Sequence, residues 1–203
     1  MGASWSCNRI MVTAVLLKYK RLDELEQVIR NLRSYYFITE ILIHDNTNEK
    51  TNVINYGRYV EAHKASNSII YTQDDDCIVN DVGTMFNIYN NHKGEVLVNG
   101  LKPSHMDKYQ GITSMCGWGA FFNKEWIKVL SRYTRKYGAD YTFYRETDRI
   151  FTGLLDVPRK TVEVDVVDFP SATDEFALYK QPEHKKYANL AKERVDEIIA
   201  STA

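Results

Sequence analysis

Apolar residues first gather at residues 10–17, in a run rich in branched side chains that predicts a buried strand. Leu22, Leu25, Val28, Ile29 and Leu32 follow at the spacing of one helical face. A second apolar run, residues 38–44, closes in the turn-prone Asp45-Asn46-Thr47-Asn48. A weaker helical pattern covers 58–66. A short strand at 68–72 then runs straight into Asp74-Asp75-Asp76. Val82, Met85, Phe86 and Tyr89 mark the next helix, with Asn80 or Asp81 as its N-cap. Residues 95–99 predict a strand.

Beyond this point the pattern loosens. Residues 100–119 hold four glycines and no clean period, which predicts loop and irregular strand. Helices are predicted at 124–137, around Ile127, Leu130 and Thr134, and at 147–155, around Ile150, Phe151, Leu154 and Leu155. Val162, Val164 and Val166 alternate as in a strand over 161–168. A polar loop bounded by prolines fills 169–184, and an amphipathic helix at 183–199 follows. Strands alternating with helices predict an α/β fold with a mostly parallel, doubly wound sheet. In such sheets ligands sit beyond the carboxyl ends of the strands. Those ends carry the polar residues Lys18-Tyr19, Asp45-Asn46 and the aspartate run.

Composition narrows the function. A chain of 203 residues, 44% hydrophobic and 26% charged, is of a size for one domain with a full core. A net charge of −1 gives no electrostatic footprint for nucleic acid. No apolar run is long enough to span a bilayer. Three cysteines, Cys7, Cys77 and Cys116, fit neither a zinc pattern nor a paired disulfide framework, so reduced thiols and a cytoplasmic location are expected. The 14 tyrosines are the compositional outlier. An apolar ring with a polar tip suits core packing and half-wet sugar pockets alike.

The aspartates carry the chemistry. Adjacent like charges oppose folding unless something offsets them. In an extended segment Asp74 and Asp76 point to one side and Asp75 to the other. Two carboxylates so spaced can address one hard cation, Mn²⁺ or Mg²⁺, together with a diphosphate. Such a cation neutralises charge on a departing nucleoside diphosphate. The competing reading is a solvated acidic turn ahead of the helix at Val82.

The sequence resembles the GT-A glycosyltransferases over nearly its whole length. The likeness is carried by Tyr19-Lys20-Arg21 with Leu25 after the first strand, Ile41-Leu42-Ile43-His44-Asp45-Asn46, Tyr71-Thr72-Gln73-Asp74-Asp75-Asp76, and Gly117-Trp118-Gly119-Ala120-Phe121-Phe122 with Glu146-Thr147-Asp148. The resemblance implies a single GT-A (Rossmann-like) domain over 1–203, with a mostly parallel mixed sheet flanked by helices. A nucleotide-binding part would cover about 8–100 and an acceptor part about 101–203. It implies transfer of a sugar from a UDP-sugar to a glycan or glycoprotein hydroxyl. By the same likeness Asp45 would contact the base, Arg58 would support base or phosphates, and Asp74 would bind the ribose. Leu17, Tyr19 and Asp75 would join the donor side, and Asp76, with Asp74, would ligate the metal. Trp118 and Gly119 would floor the sugar pocket, and Asp148 would be the acceptor-side base. Lys20 stands where the family has asparagine, and the family's Asn-x-Gly-Ile is missing after Arg58.

From the residues alone, Asp148 at the start of a helix reads either as a general base or as a favourable charge at a helix N-terminus, and Glu146 is its rival. A single acceptor-side base suits direct displacement with inversion. His184 reads either as a late metal ligand or as a solvated loop histidine. Two other functions stay open. A nucleotidyltransferase would carry a glycine-rich loop after the first strand, where this chain has Leu17-Lys18-Tyr19-Lys20. A non-catalytic carbohydrate-binding domain of the same fold would bind a donor without turnover. Further domains beyond Ala203 are left open.

Overall fold

The computed structural model describes residues 10–107, 113–173, 175 and 177–202. The predicted alternation is present from the start: β1 (Val12–Lys18), α1 (Leu22–Arg33), β2 (Ile38–Asp45), α2 (Tyr56–Lys64) and β3 (Ile69–Thr72). A short β4 (Cys77–Val79) follows the aspartates, then α3 (Val82–Asn91), β5 (Leu97–Leu101) and β6 (Ala120–Asn123). The chain continues through α4 (Leu130–Tyr137), α5 (Tyr141–Arg145), α6 (Thr147–Leu154), β7 (Arg159–Glu163), β8 (Val166–Asp168) and α7 (His184–Ala200).

Six strands form one sheet in the order β2-β1-β3-β6-β5-β7. All run parallel except β6, which is antiparallel to both neighbours, β3 and β5. Alternation along the strands splits the core in two. Val12, Ala14 and Leu16 of β1 pack with α1, α3 and Phe37 on one face. Val15 joins Tyr59, Ile70, Phe122, Phe151 and Val195 on the other, under α2 and α4 to α7. The same division puts Phe121 and Phe122 on opposite faces of β6.

Several elements differ from the reading of the sequence. The valine alternation over 161–168 is two strands. Buried Val164 donates its N–H to Leu101 at the end of the β5 pairing, and the chain then turns so that β8 pairs with β4. Residues 124–129 form 3₁₀ turns, with α4 following, and Asn123 caps them by accepting from the Glu125 N–H at 2.9 Å. Asp81 does precede α3, but its carboxylate accepts from the Asp165 N–H rather than capping the helix. The polar segment 169–184 contains two 3₁₀ turns, Pro170–Thr173 and Leu178–Lys180. Cys77 and Cys116 are buried free thiols; Cys7 lies outside the described residues. Among the described residues no helix is long and apolar enough to cross a membrane.

Candidate functional site

The carboxyl ends of β1, β2 and β3 open into a cleft of about 500 Å³. Leu17, Tyr19, Lys20 and Arg21 line it after β1, Asn46 after β2, and Asp74, Asp75 and Asp76 after β3. The opposite wall comes from Arg145, Glu146, Asp148 and Arg149 around the start of α6, with His184 at the start of α7. Residues far apart in sequence therefore meet where the strand-end rule expects a ligand.

The turn carrying the aspartates is pinned from below. Gln73 is fully buried: its Oε1 accepts from the Tyr71 hydroxyl at 3.0 Å and its Nε2 donates to the Cys77 carbonyl at 2.9 Å. The Asp74 N–H donates to the Gly117 carbonyl at 2.9 Å. A Cβ on Gly117 would lie 2.3 Å from Asp74 Oδ2, so the glycine is what lets this wall approach the carboxylate. Asp74 Oδ1 accepts from Arg58 Nη2 at 2.7 Å.

Arg58 and Tyr59, consecutive on α2, join the two walls. The Arg58 side chain is 2% exposed, and its other terminal nitrogen lies 3.6 Å from Asp148 Oδ2. The Tyr59 hydroxyl donates to Asp148 Oδ1 at 2.8 Å. Burial alone would lower the pKa of Arg58, but Asp148 and Asp74 outweigh it and hold the guanidinium charged. Burial raises the pKa of Asp148, with Arg58 opposing it.

Arg21 answers the other two aspartates. Its Nη1 lies 3.1 Å from Asp75 Oδ1 and 3.3 Å from Asp76 Oδ2, and its Nη2 donates to the Ser171 carbonyl at 3.0 Å. One guanidinium does not balance the run. Burial, with the charge of Asp74 adding to it, pushes Asp75 up to about 6 and Asp76 up to about 7. Glu146 sits between two cations, with Arg149 Nε at 3.4 Å and Arg145 Nε at 3.5 Å, and His184 Nδ1 lies 3.9 Å away. Burial lowers the pKa of His184, and its Nδ1 has no hydrogen-bond partner.

Thus Leu17, Tyr19, Asp74, Asp75, Asp76, Glu146, Asp148 and His184 share the cleft, and Arg58 lies behind it. Besides Arg58, three of the sequence candidates do not line it. Asp45 is exposed outside the cleft lining, where Lys18 Nζ at 2.7 Å and the Thr47 N–H at 2.9 Å hold its carboxylate, Lys18 foremost, well below the usual range. Trp118 is half-buried under His105 and Lys102, and Gly119 is buried against Tyr71 and Met85. Gly117 lines the cleft beside them. Sequence reasoning gave no role to Arg21, Asn46, Arg145 or Arg149. Arg21 and Asn46 were within reach, as they belong to the Tyr19-Lys20-Arg21 and Asp45-Asn46 segments; Arg145 and Arg149 carry no local pattern.

A hard cation fits this donor set in part. Asp74 and Asp76 offer carboxylate oxygens in a run with surplus negative charge. No group of three or more metal-ligating side chains occurs among the described residues. That suits a cation that takes its remaining ligands from phosphate and water.

No protein-family model matches the sequence, and no curated protein matches it. Solved structures match its fold. Staphylococcus aureus TarS (residues 1–349, in complex with UDP) is 13% identical, with a TM-score of 0.54 over 95% of this chain and 70% of that one. Glucosyl-3-phosphoglycerate synthase from Mycobacterium tuberculosis, with Mg²⁺ and UDP, is 10% identical, with a TM-score of 0.53 over 93% of this chain and 79% of that one. The same synthase with Mn²⁺, UDP-glucose and phosphoglyceric acid gives a TM-score of 0.53 at 11% identity, over 92% of this chain and 80% of that one. The six-stranded mixed sheet flanked by helices is the GT-A fold of these glycosyltransferases.

Proposed function

We propose that this chain is a metal-dependent glycosyltransferase that moves a sugar from a UDP-sugar to a glycan hydroxyl with inversion. The observation that carries the reading is one cleft, at the carboxyl ends of the parallel strands, walled by Asp74 to Asp76 on one side and Asp148 on the other. The part up to about residue 100 holds the donor, and residues 101–203 complete the acceptor side. The solved structures of like fold, with UDP in both proteins and Mg²⁺ or Mn²⁺ in the synthase, support donor and cation class.

In this reading Asp76 and Asp74 hold Mn²⁺ or Mg²⁺, with His184 as a further candidate ligand. The cation supplies charge neutralisation for the departing diphosphate. The chain's own residues do the rest. Arg58 fixes the Asp74 carboxylate for the ribose, Leu17 and Tyr19 wall the nucleotide, and Arg21 balances Asp75. Gly117, with Trp118 and Gly119 behind it, floors the sugar pocket. Asp148 takes the proton of the attacking acceptor hydroxyl as the new glycosidic bond forms and the bond to the diphosphate breaks. Attack opposite to the leaving group inverts the anomeric carbon. Glu146, engaged with Arg145 and Arg149, stands second for the role of base.

Asp45 is the proposed reader of the base. Its carboxylate would accept from uracil N3–H in place of Lys18, and cytosine has no such donor. Asp45 is exposed in this structure, so the discrimination arises only once the bound base covers the carboxylate and an analogue would leave it unpaired. UDP should therefore bind far more tightly than CDP in calorimetry with Mg²⁺ present. Equal affinities would remove Asp45 from that role.

A further inference from the structure

Two tyrosines at the cleft mouth have no part in the reaction just described. Tyr141, the first residue of α5, is 51% exposed, and Tyr179, in the turn Leu178–Lys180, is 56% exposed; both line the cleft that Asp148 and Arg149 also line. Most large apolar side chains of this protein are covered, so two open aromatic rings on one rim need a reason.

The frame that presents them is built of part-buried contacts around one buried arginine. Asp140 caps α5 by accepting from the Phe143 N–H at 2.9 Å, and its other oxygen accepts from Arg194 Nη1 at 2.6 Å. The Tyr141 ring meets Tyr187 of α7 edge-on, with centroids 5.0 Å apart. Arg145, whose side chain is 2% exposed, donates to the Leu178 carbonyl at 2.7 Å and lies 5.7 Å from the Tyr187 ring centre. One buried guanidinium thus ties the Tyr179 turn, α5 and α7 together. The rings are held out, not left over.

We propose that Tyr141 and Tyr179 form the acceptor subsite and bind a pyranose ring by stacking. The inference rests on the glycosyltransferase reading and specifies its acceptor. A pyranose has an apolar C–H face and a polar hydroxyl edge. Aromatic rings in a cleft that also carries charged groups match both, and the charged groups of this cleft include Arg149 and Asp148. An acyclic polyol offers no such face. The uracil ring could also stack, but the donor side has its own tyrosine, Tyr19, after β1.

The test uses saturation-transfer NMR on the UDP- and Mg²⁺-loaded protein. The probes are a panel of methyl pyranosides, with glycerol as the acyclic control. At least one pyranoside should bind through its C–H face, and glycerol should not. Tyr141→Ala and Tyr179→Ala should each weaken that pyranoside about tenfold and leave UDP affinity unchanged. Tyr141→Phe and Tyr179→Phe should bind like wild type, since the ring and not the hydroxyl makes the contact. Wild-type affinity in both alanine variants overturns the proposal. So does the absence of any pyranoside signal from protein that binds UDP, and so does a parallel loss of UDP affinity, which would assign the rings to the donor. Wild-type protein that fails to bind UDP at all contradicts the donor reading itself, a result the tyrosine variants cannot produce.

Discussion

Arg58 holds Asp74 at 2.7 Å and faces Asp148 at 3.6 Å, so one buried cation sets the carboxylates on both sides of the cleft. Their functions should nevertheless separate under mutation. Asp148→Asn keeps the shape of the cleft but cannot take a proton. Its donor affinity should stay near wild type while turnover falls by about 10²-fold or more, the scale of a positioned base. Normal turnover in that variant would move the role to Glu146 or dissolve it. Tyr59→Phe removes the 2.8 Å hydrogen bond that aims Asp148 and should lower turnover by a smaller factor, about tenfold, with donor affinity again unchanged. Asp76→Ala should do the reverse and abolish metal-dependent nucleotide binding in a protein whose circular dichroism is unaltered. Calorimetry that finds wild-type affinity for the metal–nucleotide complex would show that the cation is held elsewhere.

At the scale of elements, Glu40 joins three segments at the sheet edge. Its carboxylate accepts from the Thr13 hydroxyl at 2.5 Å and from the Ser66 N–H at 2.8 Å, linking β2 to β1 and to the connection from α2 to β3. Burial raises its pKa, but these hydrogen bonds outweigh burial and hold it below the ordinary 4.5. The group therefore stabilises the fold above its unfolded-state pKa. That contribution fades as pH falls through 4.5 and towards the lower folded-state value. Glu40→Gln should lose thermal stability at pH 7 and lose less on acidification below pH 4.5 than wild type does. Identical pH dependence in the two proteins would discount the contact. Continuous apolar runs and one-sided helical faces were legible from sequence: β1, α1, β2, α3 and α7 lie within a few residues of their predicted positions. α2 read as weak because Arg58 and Glu61 are buried in it, as charges serving the site and the sheet edge and not as an exposed face. β4 and α5, three and five residues long, are too short for any period. The break between β7 and β8 is a tertiary event, set by pairing with β4, that valine alternation cannot signal. The acidic run showed itself because it ends a buried strand; the Arg145–Glu146–Arg149 cluster did not, since its meaning depends on His184 arriving from α7.

For the whole molecule, the sheet supplies the floor and the two walls of the cleft come from the two halves of the sequence. The strand-order crossover puts the carboxyl ends of β1 and β3 side by side, and the helices after β6 close over them. That arrangement would bring the proposed donor and acceptor together in one cavity, and it makes transfer, rather than binding alone, the claim to test. The most direct measurement incubates the protein and Mn²⁺ with a panel of nucleotide sugars and methyl pyranoside acceptors and weighs the products by mass spectrometry. The account predicts a glycoside heavier by one sugar, formed from a UDP-sugar, abolished by chelation of the cation and by Asp76→Ala, and of inverted anomeric configuration by NMR. Tight, cation-dependent binding of a UDP-sugar with no transferred sugar across the panel, or transfer that persists after chelation, would contradict it.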